Sequence, residues 1–222
     1  MKKPDKLAVI TGGNSGIGKA TAQQLKEMGA QVIITGRRKD AVEKAASELG
    51  ITWMIADQSS TRDISNLDTS VHEKFGKIDM LLINAGITKT ASIESTSEEL
   101  FDEVMGINFK GAFFTFRKFI PFLNDSASVV FLSSTSARIS PASASVYAAS
   151  KAAVNAVVKI AALELSTRKI RVNAVGPGPI ATEIMDKLGM DEKLETQMIN
   201  SIPLQRFGKP AEVSSLICYL LG

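Results

Sequence analysis

Six short apolar runs, each followed by a longer stretch of helical periodicity, constrain this chain more than any other feature. The runs are KLAVIT (6–11), QVIIT (31–35), TWMI (52–55), DMLLIN (79–84), SVVFLS (128–133) and IRVNAV (170–175). Most are continuous rather than alternating, the pattern of strands buried on both faces. Between them the spacing predicts helices near 17–28, 39–49, 61–75, 98–123 and 145–168. Such a rhythm leads to a parallel sheet with helices on both faces, joined by right-handed crossovers. The expected fold class is therefore α/β, a doubly wound parallel sheet of six strands in three layers. No repeat or linker interrupts the pattern, and a single domain over residues 1–222 is expected.

The first of these units carries the most specific local signal. AVITGGNSGIGKATAQQLKEMGA reads as strand, glycine-rich turn and amphipathic helix, with Gly12, Gly16 and Gly18 in T-G-x-x-x-G-x-G spacing. Glycine permits positive φ in the turn and lets the backbone approach a pyrophosphate. A helix starting near Ile17 aims unpaired N–H groups and its positive dipole end at that anion. Asn14 and Ser15, between the glycines, complete the candidate cradle.

The second run sets the type of dinucleotide. Such sites place Asp or Glu about 20 residues past the glycines, on the adenosine ribose hydroxyls. QVIITGRRKD holds Gly36 there, followed by Arg37 and Arg38. No carboxylate opposes a 2′-phosphate, and guanidinium groups bind phosphate well. NADP(H) is expected in preference to NAD(H), with NAD(H) the alternative; two solvated arginines leading into a helix are the plainer reading.

A third signal is SVYAASKAAV, residues 145–154, where Tyr147 stands four positions before Lys151 among small apolar side chains. One helical turn separates them, so both project from one face. An ammonium in close-packed surroundings is costly unless compensated. A phenol exchanges protons poorly near neutral pH, and a cation one turn away favours its phenolate. The pair is either part of a helix with a solvated edge or a device for moving a proton.

With the glycine turn, NAG at 84–86 and Tyr147-x-x-x-Lys151 in this order, the chain resembles the short-chain dehydrogenase/reductase family over essentially its whole length. The resemblance implies a Rossmann-type fold and hydride transfer between a nicotinamide cofactor and a carbonyl or alcohol. It implies that Tyr147 is the general acid/base, that Lys151 binds the nicotinamide ribose and favours the tyrosinate, and that Ser134, thirteen positions before the tyrosine, completes the set. Asn108 of MGINFKGAFF matches the family asparagine that anchors a water chain leading from the lysine. For the cofactor it carries Asp57 to the adenine and Asn84, Ala85 and Gly86 to the adenosine side. Pro177, Gly178, Ile180 and Thr182 match a P-G-x-I-x-T segment at the carboxamide. Family members usually continue into a seventh strand, whereas this chain stops at Gly222, which puts assembly contacts built from that strand in doubt. Dimers or tetramers are implied nonetheless, through the helices over 98–123 and 145–168.

The remaining features prune the alternatives. A net charge of +3 with interspersed signs does not make a nucleic-acid-binding stripe. His72 is the single histidine and Cys218 the single cysteine, so neither a zinc site nor an intrachain disulfide is expected. His72 reads as a solvated helix residue, and no G-x-S-x-G elbow is present for a hydrolase. The start lacks a signal-peptide core, and no run reaches the roughly 18 uninterrupted apolar residues of a membrane span. A cytoplasmic protein is the expectation.

The long segment after the sixth run, about 177–209, carries Met185, Leu188, Met190, Leu194, Met198 and Ile199 and reads as a substrate lid over a partly apolar pocket. Its composition fits sugars, hydroxyacyl thioesters, steroids and small ketones alike. Two competing readings use the same fold: a cofactor-binding regulatory protein with vestigial activity, and an epimerase or dehydratase that consumes no net cofactor. The complete Asn108, Ser134, Tyr147 and Lys151 set argues against the first.

Overall fold

The computed structural model describes residues 6–139, 141–183 and 192–222. Its strands are β1 (Leu7–Thr11), β2 (Gln31–Gly36), β3 (Thr52–Ile55), β4 (Ile78–Ile83), β5 (Leu123–Leu132) and β6 (Arg171–Val175). All pair in parallel, in the order β3-β2-β1-β4-β5-β6. The chain thus winds outward from β1 in one direction, then returns to start again at β4. That reversal opens a crevice at the carboxyl ends of β1 and β4, the place where such sheets bind ligands.

Burial on both faces explains the continuous apolar runs. Every residue of Leu7–Thr11 is buried. Val9, Ile33, Leu81 and Val129 point to one layer and Ala8, Ile34, Leu82 and Val130 to the other. The first layer packs on α3 (Thr61–Phe75), α5 (Ala112–Phe119) and α7 (Ser145–Glu164) through Leu67, Val71, Phe116, Phe119, Val154 and Val158. The second packs on α1 (Gly16–Glu27), α2 (Lys39–Leu49) and a C-terminal helix, Pro210–Leu221, through Ala22, Leu25, Val42, Ile217 and Leu221. At about 25 cal/mol per Å² of apolar surface, these two layers supply the main drive to fold. Helix α7 is long and apolar enough to cross a membrane by length and composition, yet it lies on the sheet and buries Lys151. Trp53 packs against the second layer, as a sheet-face residue should. His72 is exposed, but its ring stacks on Phe122 at 4.3 Å.

Three expectations need correction. The helix anticipated over 98–123 is broken: α4 (Glu98–Met105) runs into a π turn (Gly106–Gly111), then α5, then a 3₁₀ turn (Ile120–Phe122) containing Pro121. The backbone stays right-handed helical at both junctions of the π turn, so apolar spacing in the short flanking pieces hides the extra residue. Strand β5 begins at Leu123 and not at 128. Its first half, LNDSA, has a turn composition, Ser126 takes φ 65°, and the register against β4 shifts between Ile78 and Met80. The helix expected over 145–168 ends at Glu164, with a 3₁₀ turn (Ser166–Arg168) after it.

After β6 the chain leaves the sheet. Short α6 (Ser136–Ile139) precedes α7, and α8 (Glu192–Ser201) and α9 (Pro210–Leu221) follow β6. The stems of the insertion are tied together: Ala181 N donates to Gly208 O at 2.9 Å and Gly208 N to Pro179 O at 3.0 Å. Arg206 caps the junction on Glu212, 2.6 Å away, and this pairing holds the Glu212 carboxyl down at about 2. Met185, Leu188 and Met190 lie outside the described residues, as does the side chain of Leu194; Met198 and Ile199 are half-buried.

Candidate active site

The crevice is first closed by backbone. Thr11 Oγ1 accepts from Asn84 N (3.0 Å) and Ala85 N (3.1 Å), and Asn84 Nδ2 donates to Thr11 O (3.0 Å) and Gly12 O (2.8 Å). These bonds lace the ends of β1 and β4 and use up the Asn84 amide nitrogen. Gly12 turns with φ 63°, and a Cβ there would sit 2.9 Å from Ala85 Cα. Gly18 does not face the crevice. A Cβ on it would lie 2.3 Å from Gly12 O, so this glycine lets α1 press against the turn from behind. Ser15 precedes α1 without a side-chain cap bond, which leaves the first N–H groups of the helix open toward the crevice.

A cavity of about 470 Å³ runs from this turn across the sheet ends. Gly12, Asn14, Ser15, Gly16 and Ile17 form one wall; Gly36, Arg37, Arg38 and Asp57 form the far end. Asn84, Ala85 and Gly86 floor it, and Thr182 closes it opposite Gly16. Gly36 is crowded by side chains, because a Cβ would meet Val42 Cγ2 at 2.7 Å and Asn14 Oδ1 at 2.8 Å. A carboxylate at that position would require Val42 and Asn14 to move aside. Arg37 and Arg38 are exposed and, among the described residues, join no ion pair. Asp57 Oδ1 accepts from Ser59 N and Ser59 Oγ, both at 2.8 Å.

The other predicted residues gather beside the floor. Lys151 is 5 % exposed, its Nζ donating to Leu132 O at 2.8 Å, and burial pulls its pKa down to about 8. Its Nζ lies 5.9 Å from the centre of the Tyr147 ring. Asn108 sits inside the π turn, 1 % exposed. Its Oδ1 accepts from Ile87 N at 2.8 Å, and its Nδ2 donates to Ile87 O at 2.9 Å and Ser150 Oγ at 3.3 Å. Ser150 in turn donates to Tyr147 O at 2.7 Å. A Cβ on Gly86 would stand 3.1 Å from Asn108 Oδ1 and 3.5 Å from Lys151 Nζ, so both side chains converge on that glycine.

Ser134 Oγ accepts from Ser136 N at 3.1 Å, on the turn that leads into α6. The Pro177 carbonyl accepts from Thr135 N at 3.0 Å, which brings the P-G segment beside Ser134. Gly178 follows it, and Ile180 pairs with Gly208 at the base of the insertion; neither lines the cavity, and Pro177 does not either. Sequence reasoning overlooked three participants. Thr11 was visible as the residue before Gly12. Gln58 was visible only as a polar residue after Asp57. The Leu132 carbonyl is a backbone acceptor and leaves no trace in side-chain identity.

Comparison with known proteins agrees with this geometry. A family model described as enoyl-(acyl carrier protein) reductase matches residues 12–222. A 3-oxoacyl-[acyl-carrier-protein] reductase from Thermotoga maritima is 37 % identical, over 99 % of this chain and 92 % of the relative. An NADP-dependent (R)-specific alcohol dehydrogenase from Lentilactobacillus kefiri is 34 % identical, over 97 % and 88 %. Among solved structures, an actinorhodin polyketide ketoreductase variant with NADPH superimposes with a TM-score of 0.92 at 27 % identity, covering 98 % of this chain and 90 % of that one. Sheet order, crevice and relatives together place the chain in the short-chain dehydrogenase/reductase family of oxidoreductases.

Proposed function

We propose that the protein is an NADP(H)-dependent carbonyl reductase or alcohol dehydrogenase in which Tyr147 is the general acid/base. The observation that carries this reading is the buried Lys151 one turn from Tyr147, bonded to Leu132 and set behind Gly86, two residues that line the cavity beginning at the glycine turn. The residues fit the cofactor: open helix N–H groups and close-packed glycines suit a pyrophosphate, and two guanidinium groups that join no ion pair among the described residues, beside Gly36, suit a 2′-phosphate. When bound, the reduced nicotinamide supplies hydride to a carbonyl carbon. The relatives named as 3-oxoacyl reductase, ketoreductase and alcohol dehydrogenase share that carbonyl–alcohol carbon, and it is this chemistry that we transfer.

In reduction, Tyr147 donates a proton to the developing alkoxide while Ser134 donates a hydrogen bond to the same oxygen. Lys151, with a pKa near 8, is mostly protonated at neutral pH, and its charge favours the phenolate left behind. Asn108 holds the segment at Ile87 and lies next to Lys151, where it anchors a water chain leading from the lysine. Residues 177–209 form the substrate lid of a single domain, tied at its base by Ile180, Gly208 and the Arg206–Glu212 pair. The exposed stripe Ala149, Ala152, Ala156, Ile160 and Leu163 on α7, with Phe113 on α5, suits a homodimer or homotetramer. The lone, buried Cys218 suits a reducing cytoplasm.

The decisive experiment follows NADPH oxidation over a panel of ketones and 3-oxoacyl thioesters, with Tyr147→Phe alongside. The variant is expected to bind NADPH normally and to lose turnover by roughly 10²–10⁴-fold. Unaltered turnover would remove Tyr147 from the mechanism, and a wild type that binds NADPH without turning over any substrate would favour the regulatory reading.

A further inference from the structure

Gln58 follows Asp57 where β3 leaves the sheet, and it is 7 % exposed. Its Nε2 donates to Ala85 O at 2.8 Å and to Ile107 O at 3.1 Å. Both partners are carbonyls, so the amide can face them only with its nitrogen. Ala85 lies in the turn that floors the dinucleotide cavity, and Ile107 directly precedes Asn108 in the π turn. One side chain therefore ties the floor of the cavity to the turn that carries Asn108.

The local packing is built for this contact. A π turn inserts one residue into a helix. Gln58 bonds the Ile107 carbonyl within that turn. Gly111, at the end of the same turn, lets the two segments touch: a Cβ there would fall 2.0 Å from Gln58 O and 2.7 Å from Gln58 Cγ. Asn108 then reaches Ile87 and stands with Lys151 against Gly86.

We propose that Gln58 is a positioning residue for the reaction: by clamping the Ala85 and Ile107 carbonyls together it holds Asn108 in register with Gly86 and Lys151. It acts through Asn108 and does not touch Tyr147 or Lys151. The inference rests on the reductase reading of the site. It predicts a loss unlike that of a residue that only contacts the cofactor, since Gln58 also borders the cavity.

Gln58→Met keeps the length of the side chain and removes both hydrogen bonds. The expected result is a fall in kcat of about tenfold, an NADPH Kd within about twofold of wild type and a displaced pH–rate profile, as for a slightly misplaced catalytic group. Asn108→Ala is expected to cost more alone, and adding Gln58→Met to it should change little further, because the two act as one unit. Hydrogen exchange gives a readout that needs no turnover: in Gln58→Met the amides of Ile87 and residues 106–111 exchange about tenfold faster while those of β1 and β4 do not. Gly111→Ala, which forces the same two segments apart, should reproduce both patterns.

The proposal fails if kcat stays within about twofold, if only the NADPH Kd rises, if the losses of Gln58→Met and Asn108→Ala add, or if exchange quickens uniformly. Should Gln58→Met not fold, Gly111→Ala and wild-type exchange decide, since independent exchange of Ile87 and 106–111 in the wild type contradicts the clamp. A wild type without turnover on any carbonyl sinks the reductase reading and leaves exchange to judge Gln58.

Discussion

The two ends of the crevice are built from opposite materials. The glycine end is made of backbone, with Thr11 and Asn84 spending their polar atoms on main-chain partners and glycines where side chains would collide. The end proposed for catalysis is made of buried polar side chains, Lys151 and Asn108, each held by carbonyls. The first arrangement serves stability and binding together. The second sets them against each other, because an ammonium taken out of water destabilises the fold that positions it.

That contrast can be broken most sharply at Lys151. Lys151→Met is expected to lower turnover by at least about 10²-fold, since the phenolate loses its cation. Without cofactor at pH 7, however, the variant should be more stable than wild type by about 2 kcal/mol, a rise in Tm of roughly 4–8 °C. The sign follows from proton linkage. Folded Lys151 releases its proton near pH 8, whereas an unfolded lysine keeps it to about 10.5. Between those values the unfolded state binds more protons, so wild-type stability rises with pH; below pH 8 the burial cost is present in full. Thermal melts from pH 6 to 11 should show the advantage of the variant shrinking across that window, and an advantage independent of pH would refute the assignment.

At the glycine end the same kind of substitution has no upside. Gly18→Ala places a methyl group against Gly12 O and Asn84 Nδ2, and is expected to cost about 1–3 kcal/mol in urea unfolding and to weaken NADPH binding in parallel. Loss of binding without loss of stability would mean that Gly18 meets the cofactor directly. Arg37→Ala tests specificity alone. Removal of one charge-assisted contact should weaken NADPH binding by about tenfold, leave NADH unchanged and leave Tm within about 1 °C. The smallest effect is expected at the base of the insertion. Glu212→Gln removes the partner of Arg206, whose pairing contributes above pH 4.5 and is lost as pH falls toward about 2. The variant should melt slightly below wild type at neutral pH and alongside it at pH 2.

The glycine end was legible because its requirements are local. T-G-x-x-x-G-x-G after an apolar run and before a helix already specifies a turn with positive φ at Gly12 and Gly16, and both occur. Strands β1, β2 and β4 were legible for a related reason, since burial on both faces makes their middles continuously apolar and leaves polar residues near their ends. The first half of β5 was not, because Asn124, Asp125 and Ser126 follow turn chemistry, and β4 pairs with Leu123 before them and Ser128 after them across a register shift. Nor was the π turn at Asn108. Its register is stabilised from outside, by Gln58 and Ile87, and only Gly106 and Gly111 hint at it in the sequence.

The sequence by itself determined the alternation of strand and helix, the glycine turn and the pairing of Tyr147 with Lys151 on one helical face, because each depends on residues within a few turns of one another. Tertiary structure alone decided that Lys151 is buried on the Leu132 carbonyl, that Asn108 meets it at Gly86, and that Val42 and Asn14 crowd Gly36. Those outcomes depend on atoms brought together from distant strands, and desolvation, which tunes the lysine, is a property of the assembled packing and not of any stretch of chain.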